Sequence, residues 1–98
     1  MRRYVYDAQF IPDDDVIFVM FHDLPGCNTQ GRNPEHAAEM AKEALNNWLD
    51  TLEYNGKVFP EPSVRNDGAE YINIVAELPD KELTIAEYYV NPLRHSIT

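Results

Sequence analysis

The stretch RNPEHAAEMAKEALNNWLDTLEYNGK limits the fold more than any other part of the chain, because its pattern suits only one kind of element. At about 100° per residue, Ala37, Ala38, Met40, Ala41, Ala44, Leu45, Trp48, Leu49 and Leu52 fall in one half of a helical wheel. Glu39, Lys42, Glu43, Asn46, Asn47, Asp50 and Glu53 take the other half. Asn33 can accept the first free amides as an N-cap, Pro34 suits the first helical position, and Gly56 after Asn55 can end the helix. An element of about 22 residues is roughly 33 Å long, enough to lie across a whole sheet. Trp48 lies at the centre of the apolar arc and is expected to be buried there. A Met and Trp stripe of this kind is core packing, and the helix needs a second layer to pack on.

The rest of the chain supplies that layer. YVYDAQFI, residues 4–11, alternates with Tyr4, Tyr6, Ala8 and Phe10 on one face, the period of a half-buried strand. PDDD provides a turn, and VIFVMF, residues 16–21, returns as a strand apolar on both faces and so central. In Asp23-Leu24-Pro25-Gly26-Cys27, proline presets φ and glycine accepts positive φ, as a type II turn requires. CNTQ then runs back as a short third strand. After the helix, FPEPSVRNDGAE is an extended connection followed by a turn, and YINIVAEL, residues 71–78, alternates with Ile72, Ile74, Ala76 and Leu78 inward. KELTIAEYYV fits a short helix or another strand, and NPLRHSIT reads as a tail.

The order is β-β-β-α-β, an α+β fold: three antiparallel strands, a further strand reached by a crossover, and one long helix on one face. A chain of 98 residues makes one domain, residues 1–78, with residues 79–98 as a C-terminal extension of helix or strand plus tail. One helix covers one face only. The apolar residues of VIFVMF on the other face need either the C-terminal segment or another chain.

Charge narrows the functional classes. Seventeen Asp and Glu against eight Lys and Arg give a formal charge of −9, whereas phosphate binding runs on cations. Direct nucleic-acid binding is not expected. A surface of this sign suits a basic partner, whose approach it would steer, although an acidic balance is also ordinary among soluble proteins. No apolar run is long enough for a membrane, Asp7 and Gln9 interrupt any signal-peptide core behind Arg2 and Arg3, and the single Cys27 points to a reducing cytoplasm.

Residues able to do chemistry are few. Cys27 has no readable capping helix or neighbouring base and is better explained as a small buried residue after a turn. His22, His36 and His95 show no paired ligand spacing with it, so no metal site and no cofactor is expected. A metal-dependent nuclease would need several carboxylates on adjacent strands, and only Asp7 and Glu77 are of suitable type. No catalytic residue is assigned.

The combined motifs resemble the HicB antitoxin family, over roughly residues 4–78. They are the Asp23-Leu24-Pro25-Gly26-Cys27 turn, the polar strip Thr29-Gln30-Gly31, the helix from Glu39 through Trp48 to Leu49, and Pro60-Glu61-Pro62. The resemblance implies a partial ribonuclease H-like fold, which agrees with the order read from the residues. It also implies a type II toxin–antitoxin role, in which this domain sterically neutralises a small basic mRNA-cleaving HicA-type toxin, and it implies self-association as a homodimer or higher oligomer. Asp13, Asp14, Asp15, Glu39, Glu43 and Asp50 are the acidic residues expected to face such a toxin. Many members continue into an operator-binding module of some 40 residues. The residues after Leu78 include Pro79 and Pro92 and carry little positive charge, so that half of the family's function is not expected. The other readings are an orphan HicB-like oligomeric binding domain and a vestigial metal-dependent nuclease.

Overall fold

The computed structural model describes residues 1–63 and 70–80, and KELTIAEYYV and the tail lie outside them. The helix α1 spans Pro34–Tyr54, and both of its ends are satisfied as the sequence suggests. Asn33 Oδ1 accepts the His36 amide at 2.8 Å, while His36 Nδ1 accepts the Arg32 amide at 3.0 Å, a reciprocal cap with histidine in the place often held by glutamate. At the other end Gly56 (φ 69°) sends its amide to Glu53 O and Lys57 sends its own to Leu52 O. Those two bonds close a Schellman motif.

The strands are β1 (Arg2–Asp13), β2 (Val16–Met20), β3 (Asn28–Gly31) and β4 (Tyr71–Leu78), ordered β3-β2-β1-β4 with every pairing antiparallel. The expected α+β architecture is therefore present, with β2 inside the sheet. β1 is longer than its alternation suggested. Pro12 and Asp13 lie in the ladder opposite Ile17 and Val16, and the turn is only Asp14-Asp15, with Asp14 at φ 55°. The chain continues as the expected type II turn: Cys27 donates to Leu24 O at 2.8 Å, and Gly26 between them has φ 98°.

Register puts Tyr6, Ala8 and Phe10 of β1, Val19 of β2 and Ile74 and Ala76 of β4 on the face under α1. Ala37, Ala41, Leu45 and Leu49 are the helix residues buried against it. Alanine fits where α1 meets β3, because Gly31 has no side chain there: a Cβ on it would lie 2.4 Å from the backbone N and Cα of Ala37. α1 thus starts beside the end of β3. It finishes beside the start of β1, where Arg2 meets Glu53.

Two expectations about the core are corrected. Trp48 is half-buried rather than buried against the sheet, and its ring lies over the turn, with Cη2 2.9 Å from where a Cβ on Gly26 would stand. Ile72 leads β4 on the helix side yet remains 43% exposed, because it sits at the end of the strand away from the helix.

Candidate functional site

Three layers of contact fix the surface that α1 presents. At its C-terminal end, Arg2 donates two bonds to Glu53, at 2.7 and 2.9 Å, and two to Pro79 O, at 2.7 and 2.9 Å. A carboxylate this close to a helix C-terminus is unfavourable by itself, and the guanidinium beside it offsets that field. The bond to Glu53 holds the Arg2 guanidinium firmly protonated, with its pKa above the ordinary arginine value. Midway, Asn46 Oδ1 accepts the Glu77 amide of β4 at 3.2 Å, so α1 also closes part of an outer sheet edge.

The third layer is the extended stretch after Lys57, which runs beside α1 over the start of the sheet. The Phe59 ring meets Tyr4 edge-on with centroids 4.9 Å apart, Tyr6 donates its hydroxyl to Pro60 O at 2.5 Å, and the Ser63 amide donates to Asp23 Oδ2 at 2.7 Å. Asp23 thereby joins the Leu24-Pro25-Gly26-Cys27 turn to the Pro60-Glu61-Pro62 stretch. This explains in physical terms why the two motifs occur together. Neither this role of Asp23 nor the Arg2–Glu53 pair is visible in local spacing, since the partners are 40 and 51 residues apart.

On this frame the six acidic candidates are all exposed, in two groups on separate elements. Asp13, Asp14 and Asp15 form the tip of the β1–β2 hairpin. Because Ile17 pairs with Gly31, that tip shares an end of the molecule with the start of α1. Glu39 and Glu43 are one helical turn apart on the side of α1 away from the sheet, where they line a shallow depression with Lys42, Asn46 and Asn47. Asp50 continues the same side about 10 Å farther along the axis. The surface is acidic, rigidly carried and accessible.

The residues considered for chemistry are disposed otherwise. Cys27 is buried, its thiol contacts Ala44 O at 3.7 Å, and burial pushes its pKa up to about 11, so it is a protonated core group. His22 is exposed and bonds Gln9 Oε1 at 2.6 Å, and His36 is occupied in the cap. His95 lies outside the described residues. Asp7 is buried on β1, whereas Glu77 is on β4 opposite Arg3, four residues along the ladder and so about 13 Å away. They do not converge, and among the described residues no group of three His, Cys, Asp or Glu could hold a metal ion. Among the described residues, too, no helix is long and apolar enough to cross a membrane.

The model of the HicB-like antitoxin of bacterial toxin–antitoxin systems matches residues 6–88, which takes in all of the sheet but the first residues of β1, α1 and both motifs that Asp23 joins. The chain belongs to this family. Solved structures show the same fold. A toxin–antitoxin complex from Streptococcus pneumoniae has a chain that aligns with a TM-score of 0.68 at 20% identity, over 97% of this chain and 89% of that one. The N-terminal domain of the Burkholderia pseudomallei antitoxin HicB gives 0.61 at 20% identity, over 78% of this chain and 99% of that one. A chain of a HicA3–HicB3 toxin–antitoxin complex gives 0.58 at 20% identity, over 79% and 100%. No curated protein matches the chain.

Proposed function

We propose that this protein is an antitoxin that binds a small, basic, mRNA-cleaving HicA-type toxin and blocks it by steric cover, with no catalytic step of its own. Membership of the HicB-like antitoxin family over residues 6–88 is the observation that carries the reading. Two of the similar structures are themselves toxin–antitoxin complexes, one of them pairing HicA3 with HicB3. The chemistry supports the same partner. A chain of −9 with exposed carboxylates on the hairpin tip and on α1 attracts a basic ribonuclease and repels free RNA. Self-association as a homodimer belongs to the same proposal, as does action in the cytoplasm.

The test is an RNA-cleavage assay with a purified HicA-type toxin. Cleavage should fall in proportion to antitoxin added, and the complex should form more slowly as salt screens the surface charges. Reversing Glu39, Glu43 and Asp50 to lysine should weaken binding by about tenfold or more, with the loss concentrated in association rate. A toxin that cleaves RNA equally well with a molar excess of this protein would refute the reading.

A further inference from the structure

We infer that the toxin attaches its backbone to the outer edge of β3, adding an extended segment whose side chains toward α1 are basic. This rests on the antitoxin reading above and names the mode of contact within it. The Phe21 amide donates to Cys27 O at 3.2 Å, so by the alternation of an antiparallel ladder Val19–Thr29 and Ile17–Gly31 are the hydrogen-bonded pairs. Met20–Asn28 and Phe18–Gln30 are then the unbonded pairs, and the amides and carbonyls of Asn28 and Gln30 point away from β2. β3 is the outermost strand on that side of the sheet. No hydrogen bond among the described residues uses the amide or carbonyl of Asn28 or Gln30. The next outward amide, that of Arg32, is already taken by His36 Nδ1 at 3.0 Å. The open run from Asn28 to Gln30 is about 7 Å long and holds none of the lysines or prolines that commonly blunt an edge.

The surroundings of this edge select the strand it takes. His36 reaches the end of β3 from the first turn of α1, and Met40 and Glu43, four and seven residues on, share that side of the helix. Met40 is half-buried and Glu43 exposed, with Glu39 on the adjoining side. The hairpin tip with Asp13, Asp14 and Asp15 stands at the Gly31 end, because Ile17 pairs with Gly31, and the exposed Arg32 is the cation nearest in sequence. A strand laid along Asn28–Gln30 alternates its side chains between two environments. One holds Met40 and these carboxylates, and the other holds Met20 and the 39% exposed Phe18, which pair with Asn28 and Gln30. Lys or Arg at one set of positions and apolar side chains at the other satisfy both. A basic protein offers such a segment, whereas a second copy would bring its own carboxylates against these. Backbone bonds then supply affinity and register, and the charges choose the partner.

Amide hydrogen exchange followed by NMR on the full chain, alone and saturated with a purified HicA-type toxin, reads the edge directly. The Asn28 and Gln30 amides should exchange rapidly in the free protein and about tenfold or more slower in the complex, while those of Thr29 and Gly31 are protected in both. Gln30→Pro removes one outward amide and leaves the β2 ladder intact, a place where an edge strand tolerates proline. It should weaken inhibition of RNA cleavage by about tenfold or more, whereas Gln30→Ala keeps the amide and should inhibit as the wild type does. Circular dichroism melting monitors both folds, and if Gln30→Pro does not fold, exchange in the wild type decides alone. Asn28 and Gln30 amides that exchange equally fast with and without saturating toxin overturn the inference. So do folded Gln30→Pro and Gln30→Ala variants that inhibit alike, and so does protection that grows with the concentration of this chain alone, because a second copy then holds the edge. In each of these cases a wild type that inhibits toxin leaves the antitoxin reading standing. A wild type that never inhibits toxin removes that reading and this inference with it.

Discussion

Replacing Gly31 by alanine probes the close approach between β3 and the start of α1. An ideal Cβ there would lie 2.4 Å from both N and Cα of Ala37 and 2.9 Å from its Cβ. Carbon atoms in contact need about 3.5 Å, so the first turn of α1 would have to retreat by about 1 Å. It cannot do so by rotating a side chain, because the obstacle is backbone already committed to the cap: the Ala37 amide donates to Asn33 O at 2.8 Å. Overpacking of a core costs about 1–3 kcal/mol, and a backbone obstacle puts Gly31→Ala near about 3 kcal/mol, out of about 5–15 for a whole domain. Gly56→Ala is the matched control. It also meets a special conformation, φ +69°, but nothing lies within 4 Å, so only the left-handed strain of about 1 kcal/mol is at stake. Urea titration followed by far-UV circular dichroism gives both values. If Gly31→Ala costs no more than Gly56→Ala, the contact between α1 and β3 is not a tight constraint on the fold.

The same contacts set the response to other perturbations. Trp48→Ala should cost about 2 kcal/mol in the same titration, less than for a fully buried aromatic, because the ring is half-buried over Gly26; a cost below about 0.5 kcal/mol would mean the turn is not held by it. Burial raises the Cys27 pKa from 9.0 to about 11, so the protonated folded state is favoured below pH 9 and that advantage is lost as pH climbs from about 9 to about 11. Stability should fall over that window by up to about 3 kcal/mol, a slope that Cys27→Ala should remove and that a pH series of urea midpoints will show. Arg2→Ala should lower the urea midpoint more than Arg3→Ala, since Arg2 joins β1, α1 and Pro79 while Arg3 meets the half-exposed Glu77.

Much of the fold was legible because its signals are local. A periodic apolar arc bounded by Asn33-Pro34 and Asn55-Gly56 defines α1 almost to the residue, and Pro25-Gly26 defines its turn type. Local signals fail where the answer depends on what lies beneath or far away. The wheel gave Trp48 its azimuth but could not show that a loop, and not the sheet, sits under it. Alternation gave Ile72 the correct face but not the reach of the helix over that face. The Arg2–Glu53 and Asp23–Ser63 links join segments 51 and 40 residues apart, and no short-range pattern encodes them.

The candidate surface was legible as residue types, and the fold explains why those types can act together. Glu39, Glu43 and Asp50 sit on a helix anchored by the Gly31–Ala37 contact at its start, by Asn46 to β4 in the middle and by Arg2 at its end. An isolated helix of this length is marginal in water, so these anchors, more than propensity, hold the carboxylates in one row. Holding them in advance matters for an antitoxin, because a partner that must first order its binding surface loses part of its interaction energy to that ordering. The anchors also lie under α1 or at its ends and leave its outer side uncovered. The sheet consumes its charge in the Arg3–Glu77 pair and hides Asp7, while α1 and the hairpin tip keep theirs exposed. The exposed charge of this small core is thus gathered on α1 and the hairpin tip, a surface whose sign suits a basic protein.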